Sequence, residues 1–174
     1  MNSERPFIIH LIDDDTKHLV LLKNHLEKKC RFNLDLHIFT SGENSIDKFT
    51  ELKPDIIILD YYLDGINPNA MNGIEVLKKV KTIAPEIDVV MMSAQESIQI
   101  AVDTLEYGAY DYIIKNDTAF MRAQLIIDNI VRSILQKLLI KEQKMIQGIL
   151  ISILLILVGS VLFLAVYGPQ LFNS

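Results

Sequence analysis

Three consecutive aspartates, Asp13, Asp14 and Asp15, close the apolar run FIIHLI at residues 7–12, and Asp60 closes the run IIIL at 56–59. Short apolar runs of this kind read as buried parallel strands, and ligands of open α/β sheets bind beyond the carboxyl ends of such strands. The four carboxylates therefore converge on one edge. Packed like charges repel unless a cation neutralises them, and hard oxygen donors at this density suit Mg2+. Strands expected at 87–92 (IDVVMM) and 110–114 (YDYII) deliver Ser93 and Lys115 to the same edge. A carboxylate nucleophile, an ammonium, a hydroxyl and a divalent cation together make a site for phosphoryl transfer. Each residue alone is an ordinary solvated strand end, so the combination carries the reading.

The elements that must hold these groups follow from periodicity. A further strand is expected at 34–39 (LDLHIF), and between the strands apolar residues recur at helical spacing: Leu19, Leu22 and Leu26; Ile46, Phe49 and Leu52; Ile74, Leu77 and Val80; Ile98, Val102 and Leu105. Five strands alternating with helices define an α/β fold with a doubly wound five-stranded parallel sheet. Ser41-Gly42, Pro54, Pro85 and Gly108 punctuate the boundaries. A fifth helix is expected to begin near Asp117 or Thr118 and to run on through Lys144, with Ile127, Val131, Ile134 and Leu138 forming a heptad-like seam that packs on the sheet or pairs two chains.

Charge is distributed unevenly along the chain. Residues 1–121 carry a net charge of -8, residues 122–145 carry +3, and residues 146–174 carry no charged side chain. The acidic body repels phosphate backbones, and without a basic stripe interleaved with aromatics it argues against nucleic acid as a partner. The single cysteine, Cys30, cannot form an internal disulfide and reads as an inert residue of a reducing compartment. The four histidines, His10, His18, His25 and His37, lack metal-ligand spacing and read as structural or surface residues. The N-terminal run ends at once in aspartates, which does not suit a secretory signal.

The C-terminal stretch is different in kind. From Ile149 to Tyr167, 19 consecutive residues are uncharged and nearly all are Ile, Leu, Val, Phe or Ala. As a helix they would span about 28 Å, close to the roughly 30 Å hydrocarbon core of a bilayer. The expected organisation is a body at 1–130, a basic helical neck at 131–145, a transmembrane helix at 146–168 and a short non-cytoplasmic tail at 169–174. Lys137, Lys141 and Lys144 precede the span and no charge follows it, so the body faces the cytoplasm as in tail-anchored proteins, with Tyr167 at the far interface. Gly148 and Ser152 form a small-xxx-small pair compatible with a homodimer.

The segments IHLIDDD, PDIIILDYYLDG, VVMMSAQ and GAYDYIIK, in that order, make residues 5–130 similar to the receiver domains of two-component response regulators. The resemblance implies a flavodoxin-like receiver fold, Mg2+ as cofactor, and a sensor histidine kinase or phosphotransfer protein as partner. It implies Asp60 as phosphoacceptor and Asp13 and Asp14 as the metal-binding pair, with Asp14 the direct ligand, Asp15 outside the direct ligands and the backbone carbonyl of Tyr62 completing the set. Lys115 would pair with phosphoryl oxygens, Ala94 would leave the phosphoryl group room, and Ser93 and Tyr112 would form the switch pair. Such a domain is not an enzyme beyond catalysing its own phosphoryl transfer and dephosphorylation.

Two features depart from the family pattern. Asn116 stands after Lys115 where a proline is usual, and the loop INPNAMN lengthens the segment between Asp60 and Gly73 beside the site. They motivate an alternative, a non-phosphorylated pseudo-receiver that acts as a membrane-anchored interaction scaffold. An aspartate-nucleophile phosphatase of the haloacid dehalogenase type also opens with a strand and an Asp-x-Asp pair. It requires Thr or Val four residues after the first Asp, where this chain has Lys17. A DNA-binding regulator is disfavoured, since nothing like a helix-turn-helix lies between the body and the span.

Overall fold

A computed structural model of the chain describes residues 5–63 and 70–171. The strands are β1 (Phe7–Ile12), β2 (Leu34–Phe39), β3 (Ile56–Asp60), β4 (Asp88–Ser93) and β5 (Asp111–Ile114). They form one parallel sheet in the order β2-β1-β3-β4-β5. The helices are α1 (Thr16–Lys29), α2 (Gly42–Asp47), α3 (Phe49–Leu52), α4 (Gly73–Ile83), α5 (Ile98–Glu106) and α6 (Ala119–Leu171). The strand order reverses between β1 and β3, which makes their carboxyl ends the place where a doubly wound sheet opens a crevice.

The sheet is apolar on both faces because parallel crossovers place helices on each. Along β3 and β4 the alternation is visible: Ile57, Leu59, Val89 and Met91 join Ile12, Phe49 of α3 and Val76, Leu77 and Val80 of α4 in one core. The intervening Ile56, Ile58, Val90 and Met92 are equally buried. The stripe of α1, Leu19, Leu22 and Leu26, is buried with Ala123, Ile127 and Ile130 of α6. These two helices meet where His18 and His25 pack on Phe120, with ring centroids 5.2 and 5.9 Å apart. Residues up to Val131 form one compact unit.

Two expectations are corrected. The apolar residues Ile46, Phe49 and Leu52 do not share one helix, since the helix breaks at Lys48 into α2 and α3. On α5, Ile98, Val102 and Leu105 mark a helix but not its buried face. They are 85%, 43% and 49% exposed, and Thr104 is buried in their place, with Ile100 and Ala101 against the core. The Thr104 hydroxyl tolerates this position because it donates to the Ala101 carbonyl oxygen at 2.8 Å. Burial, and then the charge of Asp128, pushes the Cys30 thiol up to about 12, which suits an inert residue.

From Arg132 onward the chain is a separate unit, the remainder of α6. In the heptad-like seam Ile127 and Val131 are buried in the body, whereas Leu138 is half exposed. From Ile146 to Val161 the large apolar side chains are exposed, and the helix that holds them is long and apolar enough to cross a membrane by length and composition. The two hydroxyls of this stretch are satisfied within the helix, Ser152 donating to the Gly148 carbonyl at 2.9 Å and Ser160 to that of Leu157 at 2.8 Å.

Candidate functional site

Each functional side chain stands at the carboxyl end of a strand. β1 ends just before Asp13, whose side chain is 5% exposed, β3 at Asp60, β4 at Ser93 and β5 just before Lys115. Pairing of β4 with β5 fixes the last of these, because the Lys115 backbone N–H donates to the Ser93 carbonyl at 2.7 Å. The Lys115 ammonium then lies 2.8 Å from Asp13 Oδ2 and 2.8 Å from Asp60 Oδ1. Carboxylate oxygens of Asp13, Asp14 and Asp60 all lie within 4.8 Å of one another. Asp15 is turned to another task, since its carboxylate caps α1 by accepting from the N–H groups of Lys17 at 2.9 Å and His18 at 3.3 Å.

The electrostatics follow from that crowding. Burial pushes the Asp60 carboxyl up, and although Lys115 pulls it back, the charge of Asp13 adds to the rise and leaves it at about 6. Burial acts the same way on Asp13, but hydrogen bonds from His18 and Lys115 outweigh it and hold that carboxyl below the usual range. Burial disfavours the Lys115 ammonium, yet Asp60 and then Asp13 more than compensate, so it stays charged above its ordinary range. Two of the three carboxylates, Asp13 and Asp60, share one ammonium. An all-oxygen donor set with negative charge in excess fits a hard divalent cation such as Mg2+.

The remaining candidate residues lie on β4, β5 and the segments that follow β3 and β4. Ser93 is buried, and its Oγ accepts from the Gln95 N–H at 3.1 Å. Ala94, next to it, is exposed. Tyr112 points inward, only 7% exposed, and its hydroxyl donates to the Gln95 carbonyl at 2.8 Å. Tyr62 follows Asp60 by two residues, its ring partly exposed and edge-on to that of Tyr61 at 4.8 Å. Asn116 does not displace the lysine. Its Oδ1 accepts from the Thr118 N–H at 3.0 Å and hydroxyl at 2.8 Å, a local turn leading into α6.

Two residues that sequence reasoning left out belong to the site. Gly73, the first residue of α4, donates its N–H to the Tyr61 carbonyl at 2.9 Å, and a Cβ there would collide with the Asp60 carbonyl oxygen and come within 2.7 Å of Tyr61 Cα. The glycine lets α4 start directly against the end of β3 that carries Asp60. His18, expected to be structural or a surface residue, places Nδ1 2.7 Å from Asp13 Oδ2. The available signal was its position in the first turn of the helix that follows the aspartates. Most of the lengthened loop, residues 64–69, lies outside the described residues. Its return is anchored where Glu43 accepts from the Met71 N–H at 2.7 Å and Asn72 and Glu75 cap α4 reciprocally.

Comparison with known proteins agrees with this fold. The family model of the response regulator receiver domain matches residues 9–126, and the chain belongs to that family. Among curated relatives it is 33% identical over 115 residues to the transcriptional regulatory protein ZraR of Klebsiella oxytoca, covering 66% of this chain and 24% of that protein. It is 30% identical over 122 residues to the regulatory protein LuxO of Vibrio cholerae, covering 70% and 25%. The chain thus spans about a quarter of the length of these relatives. Among solved structures it superposes on the signal receiver domain of a Luxo repressor protein from Vibrio parahaemolyticus with a TM-score of 0.66 at 24% identity, over 78% of this chain and 98% of that one. On the receiver domain of NtrX from Brucella abortus the TM-score is 0.63 at 24% identity, over 71% and 98%. At that identity these structures speak for the fold.

Proposed function

We propose that the chain is a phosphoacceptor of a phosphorelay, taking a phosphoryl group onto Asp60 from a phosphohistidine of a sensor histidine kinase or phosphotransfer protein. The observation that carries this reading is the Lys115 ammonium held 2.8 Å from Asp60 inside a cluster of three carboxylates. An Asp60 oxygen attacks phosphorus, the bond to the donor's imidazole nitrogen breaks, and the aspartyl phosphate forms; water later cleaves it and restores the carboxylate. Mg2+ would be held by Asp13, Asp14, Asp60 and the Tyr62 carbonyl, and supplies charge neutralisation for the phosphoryl oxygens. Asp13 already accepts three N–H donors, which leaves about one of roughly four lone-pair sites. Asp14 is therefore the better direct ligand.

Once the phosphoryl group is in place, Lys115 turns from the carboxylates to its oxygens. The Ser93 hydroxyl exchanges the Gln95 N–H for the same group, with Ala94 leaving room. Because Tyr112 is tied to Gln95, that exchange reaches the surface of α5, β5 and the start of α6. The domain is a signalling switch, its chemistry confined to its own phosphoryl group.

Residues 131–145 serve as a basic neck, 146–168 as a single membrane span and 169–174 as a short non-cytoplasmic tail, with the body on the cytoplasmic side. The exposed apolar side chains from Ile146 to Val161 support this reading, as do Lys137, Lys141 and Lys144 before them. Exposing the full chain in micelles to a small phosphodonor, with and without Mg2+ and beside Asp60→Asn, tests the function. Metal-dependent labelling lost in the variant is expected. A folded protein that takes up no label would instead favour the scaffold.

A further inference from the structure

We infer that His18 is a positioning residue that holds Asp13 in place for the cation, an assignment that rests on the phosphoacceptor reading above. The sequence places His18 in the first turn of α1, directly after the three aspartates. Capping by Asp15, which accepts from the His18 backbone N–H at 3.3 Å, fixes where that turn begins. From there the imidazole reaches back over the end of β1. Its Nδ1 comes within 2.7 Å of Asp13 Oδ2, and its ring is wedged against Phe120 of α6, with centroids 5.2 Å apart. The side chain is only 18% exposed. A carboxylate can only accept, so Nδ1 carries the proton.

Asp13 Oδ2 takes two donors, the Lys115 ammonium at 2.8 Å and His18, while Oδ1 takes the Asp15 N–H at 2.9 Å. Lys115 cannot hold Asp13 throughout a phosphorylation cycle, because the arriving phosphoryl oxygens compete for the same ammonium. His18 does not compete for them. Wedged by Phe120, it keeps one N–H on Oδ2 whether Lys115 faces Asp13 or turns away. Partners of this kind, which orient a metal-binding carboxylate from behind, typically change metal affinity by about 10- to 100-fold when removed.

The test is direct Mg2+ binding, measured by titration calorimetry on the full chain in detergent micelles, for the wild type and three variants. His18→Asn keeps an amide N–H at nearly the position of Nδ1, His18→Gln moves it one bond farther out, and His18→Leu removes it. The Leu and Gln variants are expected to weaken Mg2+ binding about tenfold while Asn stays within about threefold of wild type. Equal affinity across all four, or an Asn variant as weak as Leu, overturns the assignment. If His18→Leu fails to fold by far-UV circular dichroism, the contrast between Asn and Gln decides alone. A wild type that binds no Mg2+ overturns the phosphoacceptor reading along with the assignment. A wild type that binds it with no effect of His18 overturns only the latter.

Discussion

Replacing Lys115 by methionine keeps its length and removes its charge, leaving two buried carboxylates without their ammonium partner. That ammonium lies 2.8 Å from Asp13 and from Asp60, whose side chains are 5% and 6% exposed. At an effective dielectric near 20, each contact corresponds to roughly 6 kcal/mol of gross attraction. Much of that is not lost, because methionine has no charge to desolvate and a stranded carboxylate can take up a proton. Asp60 at about 6, against 3.8 for an ordinary aspartate, already costs about 3 kcal/mol near neutral pH. Without Lys115 it climbs until it is protonated, adding at most about 2 kcal/mol at about pH 7.5, and Asp13 loses one of the donors that hold its carboxyl below the usual range. The expected destabilisation is about 3 kcal/mol in EDTA, in the range for breaking a buried pair.

The sign with pH is fixed by the direction of the shift. A carboxyl whose folded pKa is raised burdens the fold above that pKa and is relieved as pH falls through it, so the gap between variant and wild type narrows from about pH 7.5 to about pH 5. Millimolar Mg2+ raises the stability of the variant more than that of the wild type, because it replaces the missing cation. Thermal and urea denaturation followed by circular dichroism, in EDTA and in MgCl2, measures all three quantities. A variant as stable as wild type in EDTA, or a gap that widens on acidification, would refute the electrostatic reasoning.

Three other outcomes are expected. His10 is buried in β1 with Nδ1 2.8 Å from Ser45 Oγ, and burial followed by the neighbouring His37 lowers it to about 4. Its contribution is present above about pH 6.5 and lost as pH falls toward 4, by up to about 3 kcal/mol; His10→Leu should flatten that limb of the stability–pH curve, and an unchanged limb counts against it. Gly73→Ala must push a methyl into the backbone of Asp60 and Tyr61, so it should cost about 3 kcal/mol in denaturation and reduce Mg2+-dependent phosphoryl uptake. Removing residues 146–174 should shift the protein from the carbonate-washed membrane pellet to the supernatant, and continued retention in the pellet would contradict the span.

Much of the site was legible because strand ends are punctuated by the residues that matter. The apolar runs at 7–12 and 56–59 locate Asp13 and Asp60 within a residue, and parallel pairing then leaves little freedom in where Ser93 and Lys115 emerge. What was not legible depends on tertiary packing. The α5 stripe of Ile98, Val102 and Leu105 has helical spacing, but the helix is turned so that Thr104, Ile100 and Ala101 pack inward and the stripe faces outward. His18 reads in the sequence as a structural or surface residue, and only in the fold do the Asp15 cap and Phe120 aim it at Asp13. The doubt raised by Asn116 concerned a lysine whose backbone is already held by Ser93.

The most direct test of the central claim is chemical trapping of the acyl phosphate. Full-length protein is phosphorylated in Mg2+ and reduced with borohydride, which converts an aspartyl phosphate to homoserine, and the peptides are then mapped by mass spectrometry. The account predicts homoserine at position 60 and at no other aspartate, dependent on Mg2+. Homoserine at position 13 or 14, or none in protein shown to be folded, would contradict it.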